Sequence, residues 1–320
     1  MHSTDPALPE PGCDPRRRAL LRLGLLGALA ATPLAPARAA PVALRTVPAS
    51  GERLPAIGMG TWITFDVARG GRLAASEALT TRWQVLQAFF AAGGRLIDSS
   101  PMYGSAEAVL GELLPQSPGA STLFSATKVW TPGQWMGERQ MARSRELWGV
   151  PRFDLMQIHN LLDWDAHLPT LRRMKAEGQI RYLGITTSHG RRHDDLAALI
   201  RNEAPDFVQL TYNIAHRAAE SRLLPLAAEH GCAVIINRPF DGGRLFDQVR
   251  ARPLPGYAGE LGCTHWAQLF LKFVISHPAV TCAIPATSQP AHMRQNMGAL
   301  AGPLPDAALR QRMAADFARR

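Results

Sequence analysis

The strongest constraint on this chain is an alternation that repeats eight times between Ala56 and Thr287. Short apolar or β-branched runs read AIGMGTW, RLIDSS, TLFSATKVW, DLMQIHN, IRYLGITT, FVQLTYN, CAVIINRPF and VTCAIPAT. Between several of them, apolar residues recur at three- and four-residue steps. Glu77 to Gly94 does so and stops at a Gly pair; DAHLPTLRRMKAEGQ and AESRLLPLAAEHG do the same near Gly178 and Gly231. Strands that are apolar at nearly every position are buried on both faces, as parallel strands covered by helices must be. Eight such units in roughly 280 residues predict an α/β fold, the closed (β/α)8 or TIM barrel. The alternative is an open doubly wound sheet. That fold would show G-x-G-x-x-G after its first strand, and GMGTW has no third Gly at the required step. Ahead of the first run, VALRTVPASGERLP predicts a β-hairpin turning at Ser50-Gly51.

The first 39 residues read as an address. RRRALLR, Arg16 to Arg22, matches the twin-arginine (Tat) export pattern and is followed by an apolar stretch from Leu23 to Leu34, too short to span a bilayer. ARAA, Ala37 to Ala40, offers a small-x-small cleavage site after Ala39. Two segments are therefore expected, a signal peptide over 1–39 and one barrel domain over 40–320. The Tat translocase is the implied transient partner, the periplasm or another exported location the implied destination. Cleavage would leave no stable membrane span. Because this route carries folded proteins, the signal itself points to a bound cofactor.

The formal charge of +9 does not indicate nucleic acid. Five Arg against three acidic residues in the leader account for +2 of it. The rest is dispersed, with no basic run longer than two residues. Cys232, Cys263 and Cys282 are widely spaced and lack metal-site spacing, so they read as small buried apolar residues, with one disulfide among them as the alternative in an oxidising compartment. No metal is expected.

In a (β/α)8 barrel, chemistry sits at the C-terminal ends of the strands. Asp98 is expected to end the second strand, Lys128 the third and His159 the fourth; Tyr103 follows Asp98 by five residues. Taken singly, each has a structural reading: an Asp can cap a turn, a His can be a satisfied core residue and a Tyr can pack. Lys128 is harder to explain that way. Only three of the 35 basic residues are lysines, and an ammonium among apolar neighbours needs a partner. Asp98 is the nearest expected carboxylate.

At these residues the chain resembles the aldo-keto reductase family, from about Val42 to Asn296. GMGTW is similar to the family's first strand, and IDSSPMYG to its D-x-A-x-x-Y-G stretch, with Ser100 where Ala is usual. ATKVW, MQIHN, IRYLGIT, VQLTYN and IPATSQPAHMRQN follow in family order. The resemblance implies hydride transfer from a nicotinamide to an aldehyde or ketone. Tyr103 would be the general acid, Lys128 would lower its pKa, Asp98 would hold Lys128, and His159 would orient the carbonyl oxygen.

The same resemblance implies a cofactor site. Thr186 and Gln209 would meet the nicotinamide carboxamide, beside Gly60, Thr61 and Trp62. Asn237 stands where many relatives place a stacking aromatic, and Arg238, Phe240 and Gly242 would lie near the pyrophosphate. Thr287, His292, Gln295 and Asn296 would meet the adenosine 2′-phosphate. NADP(H) is implied ahead of NAD(H), although Ala286 and His292 replace the usual Lys and Arg. Trp62, Met102, Trp130 and Asn160 would line an apolar substrate mouth for a small carbonyl compound. Two other readings remain: a nucleotide-binding barrel that regulates or scaffolds a partner without turnover, as potassium-channel β subunits do, and a Schiff-base aldolase using Lys128, in which Asp98 and Tyr103 would lack roles.

Overall fold

The structure, a computed structural model, describes His2, residues 42–67 and residues 76–319. The compact unit spans Ala40–Arg320. The expected export signal, residues 1–39, lies outside the described residues but for His2. Among the described residues, no helix is long and apolar enough to cross a membrane.

Eight parallel strands follow one another around the sheet in chain order. They are β3 (Met59–Gly60), β4 (Leu96–Asp98), β5 (Phe124–Val129), β6 (Phe153–Ile158), β7 (Ile180–Thr186), β8 (Phe207–Thr211), β9 (Ala233–Asn237) and β10 (Cys282–Ala283). Parallel bridges Ile57↔Ala283 and Gly60↔Ala286 join the last strand to the first and bring the sheet round into a barrel. Each strand coincides with one of the eight apolar runs, β6 alone starting one residue ahead of its run at Phe153, so the (β/α)8 expectation holds. Every residue of β4 and β5 is buried, which is why those runs show no polar alternation.

The helices obey local signals. Ser76 caps Glu77–Ala91 by accepting from the Leu79 N–H, and Val85, Leu86, Phe89 and Phe90 face the barrel. Burying each such side chain contributes about 1.5–3 kcal/mol. Trp164–Ala176 and Leu223–Glu229 end just before Gly178 and Gly231, both in the left-handed region that stops a helix. Ala106–Leu113 packs closely on Gln134–Trp148. The contact requires Gly111, because a Cβ there would overlap the Leu147 carbonyl oxygen.

The hairpin β1 (Leu44–Thr46) and β2 (Arg53–Pro55) pairs antiparallel as expected, with Gly51 at φ +75° in the connection. Its Val47 and Leu54 pack with Leu96, Phe124, Leu155, Tyr182 and Phe207 inside the N-terminal half of the barrel. Arg181 pins the turn from outside, reaching Glu52 Oε2 at 2.5 Å and Asp154 Oδ1 at 2.7 Å. One end of the barrel is thus plugged, and the C-terminal end is left to hold a cavity. Cys232, Cys263 and Cys282 are buried and free.

Candidate active site

The period-two geometry of a strand brings Asp98 and Lys128 together. Asp98 is in register with Ala126 on the next strand, and Lys128, two residues further, projects to the same side as Ala126. Its Nζ donates to Asp98 Oδ2 at 2.5 Å and to the Ser99 carbonyl at 2.7 Å. The other carboxylate oxygen, Oδ1, accepts from Gln157 Nε2 at 2.9 Å and Gln209 Nε2 at 3.0 Å. Burial acts to lower the Lys128 pKa, but attraction to Asp98 and Tyr103 outweighs it, and the value lies above the usual lysine range. Lys128 is therefore an ammonium without solvent contact.

Tyr103 is aimed by a turn. Its N–H donates to the Ser100 carbonyl at 2.9 Å across Pro101. Gly104 follows at φ +61°, and a side chain there would collide with the Asp66 carboxylate, which accepts from the Ser105 N–H at 2.9 Å. The Tyr-Gly pair in the sequence records this constraint. The Lys128 Nζ stands 5.1 Å from the Tyr103 ring centroid. Desolvation raises the phenol's pKa above its ordinary value; Lys128 pulls it down and Asp98 pushes it up. The expected effect of Lys128 is present, but burial outweighs it, so the phenol keeps its proton well into the alkaline range.

His159 is the first residue after β6. Its Nδ1 lies 3.0 Å from Ser100 Oγ, and its ring meets Tyr103 edge-on at 5.9 Å. Burial, reinforced by the Lys128 charge, pushes its pKa down to about 3. The imidazole is neutral at physiological pH, so it can donate one hydrogen bond and accept one.

These groups edge a cavity of about 300 Å³ at the C-terminal mouth. Asp98, Tyr103 and His159 line it, as do Gly60, Thr61, Trp62, Met102, Asn160, Thr186, Gln209, Asn237, Arg238, Phe240 and Gly242. Lys128 lies behind this wall. Trp130 is at the rim, tilted over His159 at 6.4 Å, and does not line the cavity. A second cavity, sharing Phe240, Phe246 and Ala286 with the first, holds Thr287, His292, Gln295 and Asn296. The expected cofactor residues thus divide between two connected linings.

Asn237 is tied into the wall. Its Oδ1 accepts from Thr211 Oγ1 at 2.6 Å, and its Nδ2 donates to the Thr187 carbonyl at 2.9 Å. Gln157, Ser188, His189 and Phe246 were missed from sequence, whereas Thr187, which stands where the family's usual Asn does, lines the cavity beside Thr186. Gln157 carried a signal in hindsight, as a polar residue inside an apolar strand. Two lining atoms, Thr187 Oγ1 and Arg238 Nε, are buried without a hydrogen-bond partner among the described residues. Arg238 sits 5.6 Å from the Trp62 ring.

Residues 56–315 match the model of the aldo/keto reductase family. The chain is similar to a D-threo-aldose 1-dehydrogenase from a Pseudomonas species, 24% identical over 78% of this chain and 90% of that one. An NADH-specific methylglyoxal reductase of Escherichia coli K12 is 27% identical over 64% of this chain and 69% of its own length. Among solved structures, an aldo-keto reductase of Klebsiella pneumoniae in complex with NADPH superposes with a TM-score of 0.69 at 25% identity, covering 83% of this chain and 92% of that one.

Proposed function

This chain belongs to the aldo/keto reductase family, an oxidoreductase of aldehydes or ketones, and from that premise we propose that Tyr103, Lys128, Asp98 and His159 carry the reaction, with NADP(H) bound in preference to NAD(H). The observation that carries the site reading is the buried Lys128–Asp98 pair beneath the Tyr103 ring.

The lining fits a nicotinamide nucleotide. Thr187 Oγ1 and Arg238 Nε are polar atoms still to be satisfied, suited to an amide and a phosphate. A bound reduced nicotinamide supplies hydride for the carbonyl carbon. Tyr103 gives the developing alkoxide its proton, which burial has kept on the phenol. Lys128 then stabilises the resulting phenolate, and Asp98 keeps Lys128 charged and in place. His159, neutral, donates to the carbonyl oxygen and orients it. Trp62 and Met102 flank the mouth as apolar walls, with Asn160 as a polar contact. Support for NADP(H) is the NADPH held by the Klebsiella relative. The E. coli relative, by its name NADH-specific, marks the alternative.

The test is direct. Purified protein is titrated with NADPH and NADH by nucleotide fluorescence, then assayed with a panel of aldehydes at the nicotinamide absorbance. Tyr103→Phe is expected to lower carbonyl reduction about 10²- to 10⁴-fold while keeping nucleotide affinity. Wild-type turnover in that variant would refute the assignment. Nucleotide binding with no turnover on any carbonyl would instead favour the regulatory-subunit reading.

The same protein is proposed to be exported by the Tat translocase to the periplasm. RRRALLR, the apolar stretch after it and ARAA support this. Fractionation of cells making the full chain and a variant with Arg16, Arg17 and Arg18 replaced by Lys tests it. Equal distribution of the two would overturn it.

A further inference from the structure

We propose that Ser100 is a positioning residue for carbonyl reduction: its hydroxyl donates to Nδ1 of His159 and so holds the imidazole as the tautomer whose proton sits on Nε2, toward the cavity. The proposal rests on the reading of His159 as the group that orients the carbonyl.

The geometry determines the direction of the bond. Ser100 is fully buried, and its Oγ lies 3.0 Å from His159 Nδ1. The same Oγ accepts from the Met102 N–H at 3.2 Å. Among the described residues no other acceptor stands within reach of the Ser100 hydroxyl proton, so Nδ1 is its only outlet. Were the ring proton on Nδ1, Ser100 would accept twice and its own proton would be buried without an acceptor, which a fold avoids. A neutral imidazole that accepts at Nδ1 must donate at Nε2. No hydrogen bond to Nε2 forms among the described residues, and His159 lines the cavity, so that donor is free for a carbonyl oxygen.

One turn does both jobs. The Ser100 carbonyl accepts from the Tyr103 N–H at 2.9 Å, so the segment that aims the phenol also sets the tautomer of the ring it touches edge-on. Ala at this position, as in the family pattern, would offer Nδ1 nothing. An orienting partner of a functional His is typically worth about 10- to 100-fold where it has been removed from metal sites, and a loss of that order is expected here.

The experiment reads the ring nitrogens of His159 by 15N NMR in the wild type, Ser100→Ala and Ser100→Thr, with His159→Gln to assign the signals. The wild type is expected to show protonated Nε2 and bare Nδ1. Ser100→Ala should give mixed tautomers, with kcat for an aldehyde down about 10- to 100-fold and nucleotide affinity within about twofold of wild type. Ser100→Thr, which keeps a hydroxyl, should restore both. A wild-type ring protonated on Nδ1 overturns the proposal, and that result does not depend on any variant folding. So does an unchanged tautomer, or an unchanged kcat, in Ser100→Ala. The spectra need no substrate, so an inactive wild type would refute the functional reading and still leave the tautomer assignment measured.

Discussion

The Lys128 ammonium and the Asp98 carboxylate meet at 2.5 Å with neither side chain open to water. Each charge is held there by the other, and the remaining carboxylate oxygen is filled by two glutamines. Asp98→Asn leaves the ammonium buried and uncompensated, an imbalance that costs about 3–5 kcal/mol. Lys128 holds its proton more tightly in the fold than in the unfolded chain. Its contribution is therefore complete below the unfolded value of about 10.4 and is lost as pH rises through the higher folded value. Denaturant unfolding of wild type and Asp98→Asn should show the full difference at neutral pH and a shrinking one above about pH 10.4. Equal stability at neutral pH would contradict the pairing.

His159 behaves in the opposite sense. Its folded pKa of about 3 lies below the unfolded value near 6.5. The unfolded chain binds the proton first, so stability falls as pH drops through that window. His159→Gln should lose less stability than wild type between pH 7 and pH 4, as measured by thermal melts. A variant that tracks the wild type throughout would show that the imidazole is not kept neutral by the fold.

Arg238 is poised for an anion. Among the described residues its Nε has no partner, and the one carboxylate paired with it, Asp241, is 3.5 Å away and is already shared with Arg244 at 2.8 Å. Arg238→Ala should weaken nicotinamide-nucleotide binding by about 10- to 100-fold, the worth of one charge-assisted hydrogen bond. Fluorescence titration checks this. A change of less than about twofold would mean that the guanidinium serves Trp62 and Asp241 instead.

Among the described residues, the second cavity is lined by two imidazoles, His265 and His292, and by no Lys or Arg. Replacing Ala286 with Lys and His292 with Arg should raise the NADPH-to-NADH affinity ratio by about tenfold or more. An unchanged ratio would place the adenosine end of the nucleotide elsewhere.

The fold was legible because its signals are local. Apolar runs mark strands buried on both faces, Gly93–Gly94, Gly178 and Gly231 mark helix ends, and Ser50-Gly51 marks the hairpin. The proton-transfer groups were legible for a related reason: in a parallel barrel the strand ends share one rim, so Asp98, Lys128 and His159 could be placed from strand order alone. Gln157 and Ser188 escaped because nothing in their neighbourhood distinguishes a polar residue facing the cavity from one satisfied in the wall. Trp130 was placed in the mouth by its position after a strand, but its ring turned onto His159 at the rim.

The sequence by itself determined the barrel, the order of its strands and the identity of the groups at its open end, since hydrophobic period and strand-end position depend only on residues near one another in the chain. Only the tertiary structure decided the electrical state of those groups. Burial overcomes Lys128 in setting the Tyr103 phenol, and burial with the Lys128 charge neutralises His159. The Ser100 hydroxyl reaches a ring 59 positions away. Desolvation and hydrogen-bond direction depend on everything packed around a group, most of it remote in sequence.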